Sequence, residues 1–157
     1  MSAKPVLIDN LQYANFSPKV FEQMRAGGVD AVHVTIAYHE SFREMVLELE
    51  GWNRRFERFS DLIMRGTTAA DIDAARASGR TAIFFGFQNP SPIEDDIGLI
   101  EIVHQLGVRF MQLSYNNQSL LASGRLDNQV SCWSATEGLI AANASENSGD
   151  TASVIAL

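Results

Sequence analysis

The chain has 157 residues, which is enough for one ordinary domain with a buried core. Its hydrophobic content of 46% and its charged content of 20% are typical of globular proteins and exclude wholesale disorder. The formal net charge of −7 argues against a partner that is held by charge, such as nucleic acid or an anionic membrane surface.

Cysteine usage and the opening residues indicate the compartment. Cys132 is the only cysteine, so no intrachain disulfide can form and a reducing cytoplasm is expected. The opening MSAKPVLIDN lacks the apolar run of a signal peptide. No later segment approaches the roughly eighteen uninterrupted apolar residues of a membrane span. We therefore predict a soluble, cytoplasmic protein.

The first half of the chain alternates strand-like and helix-like patterns. Residues 5–9 predict a short strand, and Ser17–Pro18 mark the start of a helix that ends at Gly27–Gly28. Residues 29–38 are β-branched and mostly apolar, as in a strand that is buried on both faces. Ser41 opens a long helix. The apolar stripe of that helix comprises Phe42, Met45, Val46, Leu49, Trp52 and Phe56.

Three more strand patterns follow. Residues 61–66 predict a short strand, and Thr68 with Asp71 resembles a capping box at the start of the next helix. Residues 81–87 and 108–115 predict the fourth and fifth strands.

One continuous helix is predicted between the last two strands, over residues 91–107. Pro92 lies near its first turn and Gly107 stops it. Three acids fall near its start, namely Glu94, Asp95 and Asp96. They could be read as a cation-binding cluster, but acids in the first turn of a helix are favoured by the helix dipole, which explains them adequately.

Five strands that alternate with three or four helices imply parallel pairing through right-handed crossovers. The pattern is that of an α/β fold, either half of a (β/α)8 barrel or a small doubly wound sheet. Neither a G-x-G-x-x-G nor a G-x-x-x-x-G-K motif occurs, so dinucleotide and nucleotide binding lose their best support.

The character of the sequence changes at Gly124. Residues 124–157 are rich in Ser, Ala and Asn and contain no further βα unit. A complete barrel typically needs roughly 250 residues. We therefore expect residues 1–123 to form a partial α/β barrel, and residues 124–157 to be an atypical tail. That tail is either an improvised cap or the foreign end of a truncated product, and we favour truncation.

A family resemblance is carried by the segment GRTAIFFGFQNPSPIEDDIGLIEIVHQLGVRFMQLSYNNQSLLASG and by the opening strand VLIDN. In its IEDD helix start and its LGVRFMQLSYN strand, the chain resembles the membrane dipeptidase (renal dipeptidase) family of zinc metallopeptidases. The resemblance covers roughly residues 5–123. It implies the N-terminal portion of a TIM-like (β/α)8 barrel, a binuclear zinc centre, and hydrolysis of dipeptides by a metal-bound hydroxide.

The positions that the resemblance assigns to metal ligands carry other residue types. Leu11 and Tyr13 stand where the family has a His and an Asp, and Gln88 stands where it has a bridging Glu. A neutral amide cannot supply the charge that two neighbouring Zn²⁺ ions require. The family's two later histidines would follow Ser123, where this chain has no His. Zinc is thus implied by the family, but we do not expect this chain to bind it.

Candidate substrate-binding residues follow two of the predicted strands. Gln88 and Asn89 come after the fourth strand, whereas Tyr115 and Asn116 lie at the end of the fifth. Tyr115 also stands where the resemblance places a His that stabilises the transition state. Functional groups gather at the C-terminal ends of barrel strands, and neutral groups suit a small molecule or a dipeptide. The alternative is an ordinary polar strand-to-helix turn.

The three histidines are scattered and lack zinc-site spacing. His33 lies inside a strand pattern, where a structural role is expected. His39 and Glu40 follow the second strand, at the same barrel mouth as Gln88, and are either a ligand pair or a loop pair before the next helix cap. His104 is predicted to lie on the surface.

Two functions from different classes remain. The leading hypothesis is a dipeptidase-family protein reduced to its N-terminal part, with unassigned catalytic residues and negligible peptidase activity. The alternative is a non-catalytic pseudoenzyme that binds a small polar ligand at its amide cluster. A third possibility is a fragment without function. The open strand edges of an incomplete parallel barrel predict self-association.

Overall fold

The computed structural model describes residues 5–115. Strands and helices alternate along this part of the chain, as predicted. The strands are β1 (Ile8–Gln12), β2 (Ala31–Ala37), β3 (Ile63–Arg65), β4 (Thr81–Phe87) and β5 (Val108–Met111). The helices are α1 (Pro18–Ala26), α2 (Phe42–Arg58), α3 (Ala69–Ser78) and α4 (Leu99–Gln105), with a 3₁₀ turn at Ser91–Ile93. The predictions for Asn116 and for the 124–157 tail lie outside the described residues.

All strand pairs in the described sheet are parallel, which confirms the α/β prediction. β2 pairs with β1 on one side and with β4 on the other. The far edge of β4 is shared, because β3 pairs with residues 81–83 and β5 pairs with residues 85–87. Across the sheet, β2 therefore lies between β1 and β4, and the far edge of β4 pairs with β3 along its first half and with β5 along its second half. Strands next to each other in sequence are not always neighbours in the sheet.

The main core lies between one face of the sheet and the helices α1, α2 and α4. Alternate residues of β2 and β4 face it, and α2 contributes a buried stripe. The apolar residues of this core include Phe21, Val32, Val34, Met45, Leu49, Trp52, Ile83, Phe85, Phe87 and Val103. Val46, which was expected in the α2 stripe, is instead exposed. It is adjacent in sequence to the buried Met45, about 100° further around the helix, so it turns towards solvent.

The opposite face of the sheet carries a smaller apolar cluster. Ala31, Ala82 and Phe84 pack there against Ala75 of α3. This cluster lies towards the N-terminal ends of the strands, because Ala31 and Ala82 are the first paired residues of β2 and β4. Further along β2, the same face carries the polar side chains of His33 and Thr35.

The prediction of one continuous helix over residues 91–107 is wrong. The chain makes a 3₁₀ turn, then Glu94 adopts a left-handed backbone with φ of 54°, and α4 begins only at Leu99. The acids therefore do not occupy the first turn of one helix. Glu94 instead accepts a 3.2 Å hydrogen bond from the Phe42 N–H at the start of α2. Asp96 accepts a 2.8 Å bond from the N–H of Gly98.

Two other helix starts agree better with the sequence. Ser41 and Glu44 form a reciprocal capping box on α2, and Thr68 and Asp71 form one on α3. The first strand is shifted, since β1 starts at Ile8 and Leu11 has a φ of 56°. Among residues 5–115, no helix is both long and apolar enough to cross a bilayer.

Candidate functional site

Polar and aromatic side chains gather where the parallel strands end. Because the C-terminal ends of parallel strands meet at one edge of a sheet, residues that are distant in sequence become neighbours here. The group comprises Tyr13 after β1, Tyr38 and His39 after β2, Gln88 and Asn89 after β4, and Tyr115 after β5.

Gln88 ties the end of β4 to the end of β2. Its side-chain Nε2 donates one hydrogen bond of 2.9 Å to Thr35 Oγ1 and another of 3.1 Å to Tyr38 Oη. Both amide protons are therefore directed at hydroxyl groups. The arrangement leaves the Gln88 carbonyl oxygen as the acceptor that a ligand could use.

Tyr38 stands at the centre of this edge. Burial raises the pKa of the Tyr38 phenol, so the group stays protonated at neutral pH. The Tyr13 and Tyr115 rings both meet it edge-on, with centroid distances of 5.3 Å and 5.6 Å. These T-shaped contacts are a favoured aromatic geometry and hold the three phenols together.

Asn89 is almost fully buried, with 7% of its surface exposed. Its Nδ2 lies 3.4 Å from Nδ1 of His39, whose ring in turn contacts Tyr115 edge-on. The Asn89 Oδ1 atom has no hydrogen-bond partner within residues 5–115. A buried polar atom without a partner costs about 1–3 kcal/mol, so this oxygen marks a place for a ligand or for further chain.

His33 lies deeper on the same face. It is buried, its Nδ1 lies 2.6 Å from Asn10 Oδ1, and its ring stacks on Phe110 at 4.3 Å. Burial lowers its pKa to about 4, so the imidazole is neutral at physiological pH. Gly86 makes room for it, since a Cβ at that position would come within 1.7 Å of His33 Nε2. These contacts hold the His33 ring in place, but its Nε2 atom is buried without a hydrogen-bond partner within residues 5–115, so the structural role of His33 stays a prediction.

The sequence prediction missed three residues of this region: Asn10, Thr35 and Tyr38. A signal existed for one of them, because Thr35 alternates with His33 along β2 and so shares its face. The predicted pair His39 and Glu40 does reach the mouth, although Glu40 turns back and accepts a bond from the Tyr38 N–H. His104 is exposed on α4, as expected.

A sequence model of the family described as membrane dipeptidase (peptidase family M19) matches residues 9–143. The chain belongs to the membrane dipeptidase family. The resemblance noted from the sequence is thereby confirmed. The family as a whole is zinc-dependent.

Individual proteins are similar to this chain over part of their length. Dipeptidase verJ of Clonostachys rogersoniana is 27% identical over 89 residues, which are 57% of this chain and 23% of that protein. The crystal structure of an amidohydrolase from Pseudomonas aeruginosa is 35% identical, with a TM-score of 0.71, over 76% of this chain and 37% of its own.

A metallopeptidase from Rhodobacter sphaeroides, solved with a phosphinate mimic of the dipeptide L-Ala-D-Ala, gives a TM-score of 0.58 at 12% identity. The match covers 74% of this chain and 47% of that one, and at such identity it shows the fold alone. The chain thus spans less than half the length of each of these relatives.

The residues that the sequence resemblance places at the family's metal-ligand positions do not fit a binuclear zinc centre. Leu11 offers an apolar side chain, Tyr13 is 74% exposed, and Gln88 is neutral and turns its amide nitrogen towards two hydroxyls. Zn²⁺ prefers His, Cys and carboxylate ligands. Within residues 5–115, no three such side chains come together in a group that could hold a metal.

Proposed function

We propose that this membrane dipeptidase family member does not hydrolyse dipeptides through a zinc centre, and that its strand ends form a metal-free site for a small polar ligand. The observation that carries the proposal is the Gln88 amide, which donates to Thr35 and Tyr38 from the position that the family resemblance assigns to a bridging Glu. Negligible peptidase activity is part of the leading hypothesis from the sequence, a dipeptidase-family protein reduced to its N-terminal part, and the ligand site is the alternative hypothesis. The two are compatible.

The chemical argument concerns charge. A bridging acid brings a negative charge and an oxygen for each of two metal ions, which offsets the repulsion between them. Gln88 has no charge and only one oxygen. Its amide protons would also face any cation that approached from the side of Thr35 and Tyr38. Leu11 and Tyr13 do not supply the missing charge or metal ligands, because neither carries a carboxylate or an imidazole.

The same groups suit a neutral ligand. The Asn89 Oδ1 and Gln88 Oε1 atoms are acceptors, and the Tyr38 phenol keeps its proton. An amide or a hydroxyl on a small molecule could bond to these groups with no change of protonation state. A dipeptide, with its central amide, belongs to this class of ligand, so the family's substrate could be bound without being cleaved.

The test combines metal analysis with turnover. The purified protein is loaded with Zn²⁺, desalted and assayed for bound zinc and for Ala-Ala hydrolysis, with and without a chelator. We expect less than one zinc per chain and no turnover above the protein-free control. A tightly bound zinc together with hydrolysis that the chelator abolishes would overturn the proposal.

Ligand binding is tested separately, by thermal shift in the presence of a chelator. A dipeptide should raise the melting temperature of the wild-type protein without added metal. The Gln88→Leu variant should lose that shift, because it removes the amide nitrogen and the amide oxygen at similar volume. Gln105→Leu is the matched control, since Gln105 is exposed and is the last residue of α4, which leads into the N-terminal end of β5. An equal shift in Gln88→Leu would show that Gln88 is not part of the site.

A further inference from the structure

A cavity of about 380 Å³ opens beside the strand ends, between the β1–α1 connection, the end of β2 and helix α2. This volume falls within the range of small-molecule pockets. Two of its lining residues, Thr35 and Tyr38, are the hydroxyl groups that accept hydrogen bonds from Gln88. The cavity is therefore continuous with the amide cluster but extends away from it, towards the surface of α2.

Aromatic rings form much of the cavity wall. Tyr13 and Tyr38 meet edge-on with an interplanar angle of 86°, and Phe16 meets Trp52 at a centroid distance of 4.9 Å. Aromatic faces carry a partial negative charge and attract cations within about 6 Å of the ring centroid. The Trp52 ring already makes such a contact, because the Arg55 guanidinium carbon lies 5.0 Å from its centroid.

Carboxylates complete the lining. Glu40 borders the cavity and is held in place by the N–H groups of Tyr38 and His39, at 2.5 Å and 2.9 Å. Glu48 borders it from α2, where it lies one turn before Trp52 and so projects from the same side of the helix. Arg55 supplies the opposing charge. Two carboxylates against one guanidinium leave the lining with one net negative charge.

We propose that this cavity binds the ammonium group of a small organic cation. The proposal rests on the metal-free ligand site proposed above and names the class of ligand. The aromatic rings solvate the alkyl substituents and the charge, and Glu40 and Glu48 neutralise it. The uncharged remainder of such a ligand would extend towards Gln88 and Asn89, where neutral hydrogen-bonding groups are available.

Binding is measured by the fluorescence of Trp52 in a Trp133→Phe background, which leaves Trp52 as the single tryptophan of the chain. The probe is tetramethylammonium chloride, with sodium chloride at equal ionic strength as the salt control. The neutral comparison is tert-butanol, which has a similar size. We expect saturable quenching by tetramethylammonium and none, or at least tenfold weaker quenching, by tert-butanol.

Charge-changing variants separate cation binding from simple apolar binding. If the ligand is bound through its charge, removing a carboxylate and removing a guanidinium should change the affinity in opposite directions. Glu48→Gln should weaken tetramethylammonium binding by about two- to fivefold, and Arg55→Gln should strengthen it by a similar factor, because a like charge leaves the lining. Glu57→Gln, on the exposed side of the same helix, should bind as the parent does. Tyr13→Phe should retain binding, whereas Tyr13→Leu should lose about two- to fivefold.

Equal affinity for tert-butanol, or the same effect from Glu48→Gln and Arg55→Gln, would overturn the cation inference. Absence of any saturable quenching in a folded protein would overturn it as well. None of these results bears on zinc content or dipeptide hydrolysis, so the inference can fail while the proposed function stands. If zinc-dependent hydrolysis is found, the proposed function fails whatever the probe does.

Discussion

The two faces of strands β2 and β4 are built from different chemistry. On the face that packs against α1, α2 and α4, Val34 and Phe85 are fully buried members of a continuous apolar core. On the opposite face, His33 and Thr35 each make a side-chain hydrogen bond, with Asn10 and Gln88 respectively. The His33 ring also packs closely against Gly86, where a side chain would not fit. Apolar burial is non-directional, so many sequences could build the first face. The second face depends on individual atoms, as a ligand site does.

The largest effect should come from removing a ring on the core face. Phe85→Ala should lower the free energy of unfolding by about 3–5 kcal/mol, because the buried ring packs against Trp52 and Phe56 and its loss leaves a cavity. Phe110→Ala is the matched change on the opposite face, where the ring is 47% exposed, and should cost much less. Urea unfolding measures both. Equal losses would show that the two faces contribute alike to stability.

The next effect concerns the pH dependence of stability. The folded pKa of His33 is about 4, against an ordinary value of 6.5 in the unfolded chain. Between these values the unfolded chain takes up a proton that the folded protein does not, so stability falls as the pH falls from 6.5 to about 4. The contribution is complete above pH 6.5, and its full loss amounts to roughly 3 kcal/mol.

Comparing urea midpoints of the wild type and His33→Gln across this pH window isolates the effect, since the other titrating groups are shared. The stability of the variant should depend less steeply on pH. Parallel curves for the two proteins would mean that His33 is not buried as a neutral imidazole.

A smaller effect tests the steric fit between neighbouring strands. Gly86→Ala should cost about 1–3 kcal/mol, because the added Cβ would displace the His33 ring. In His33→Ala, the same Gly86→Ala change should cost far less, since the ring is gone. A double-mutant cycle by thermal or urea unfolding gives the coupling between the two sites. Additive effects would contradict the contact.

Sequence patterns captured the core face well and the other face poorly. The spacing of Met45, Leu49 and Trp52 along α2 is a local property, and so is the Ser41 cap, so both could be predicted without knowledge of the fold. The helix over residues 91–107 failed for the opposite reason. Glu94 accepts a hydrogen bond from the Phe42 N–H at the N-terminus of α2, 52 residues earlier in the chain. Local sequence patterns do not contain information about such a distant partner.

The candidate site divides in the same way. Gln88 and Asn89 could be placed at a strand end, because parallel strands put their C-terminal ends at one edge. Their partners could not, since Thr35 and Tyr38 meet Gln88 only when β2 and β4 pair in register, with Thr35 opposite Gly86. Asn10 meets His33 through the irregular end of β1, where the pairing with β2 shifts register. Such contacts are tertiary, and composition or periodicity does not encode them.

The central claim is that amide and hydroxyl groups, and no zinc ions, occupy the ends of these strands. Crystals of the purified protein soaked in Zn²⁺ would test it most directly, with diffraction data collected on both sides of the zinc absorption edge. We predict no anomalous peak within bonding distance of Gln88, Leu11 or Tyr13. A pair of peaks beside Gln88, a few ångströms apart, would contradict the claim.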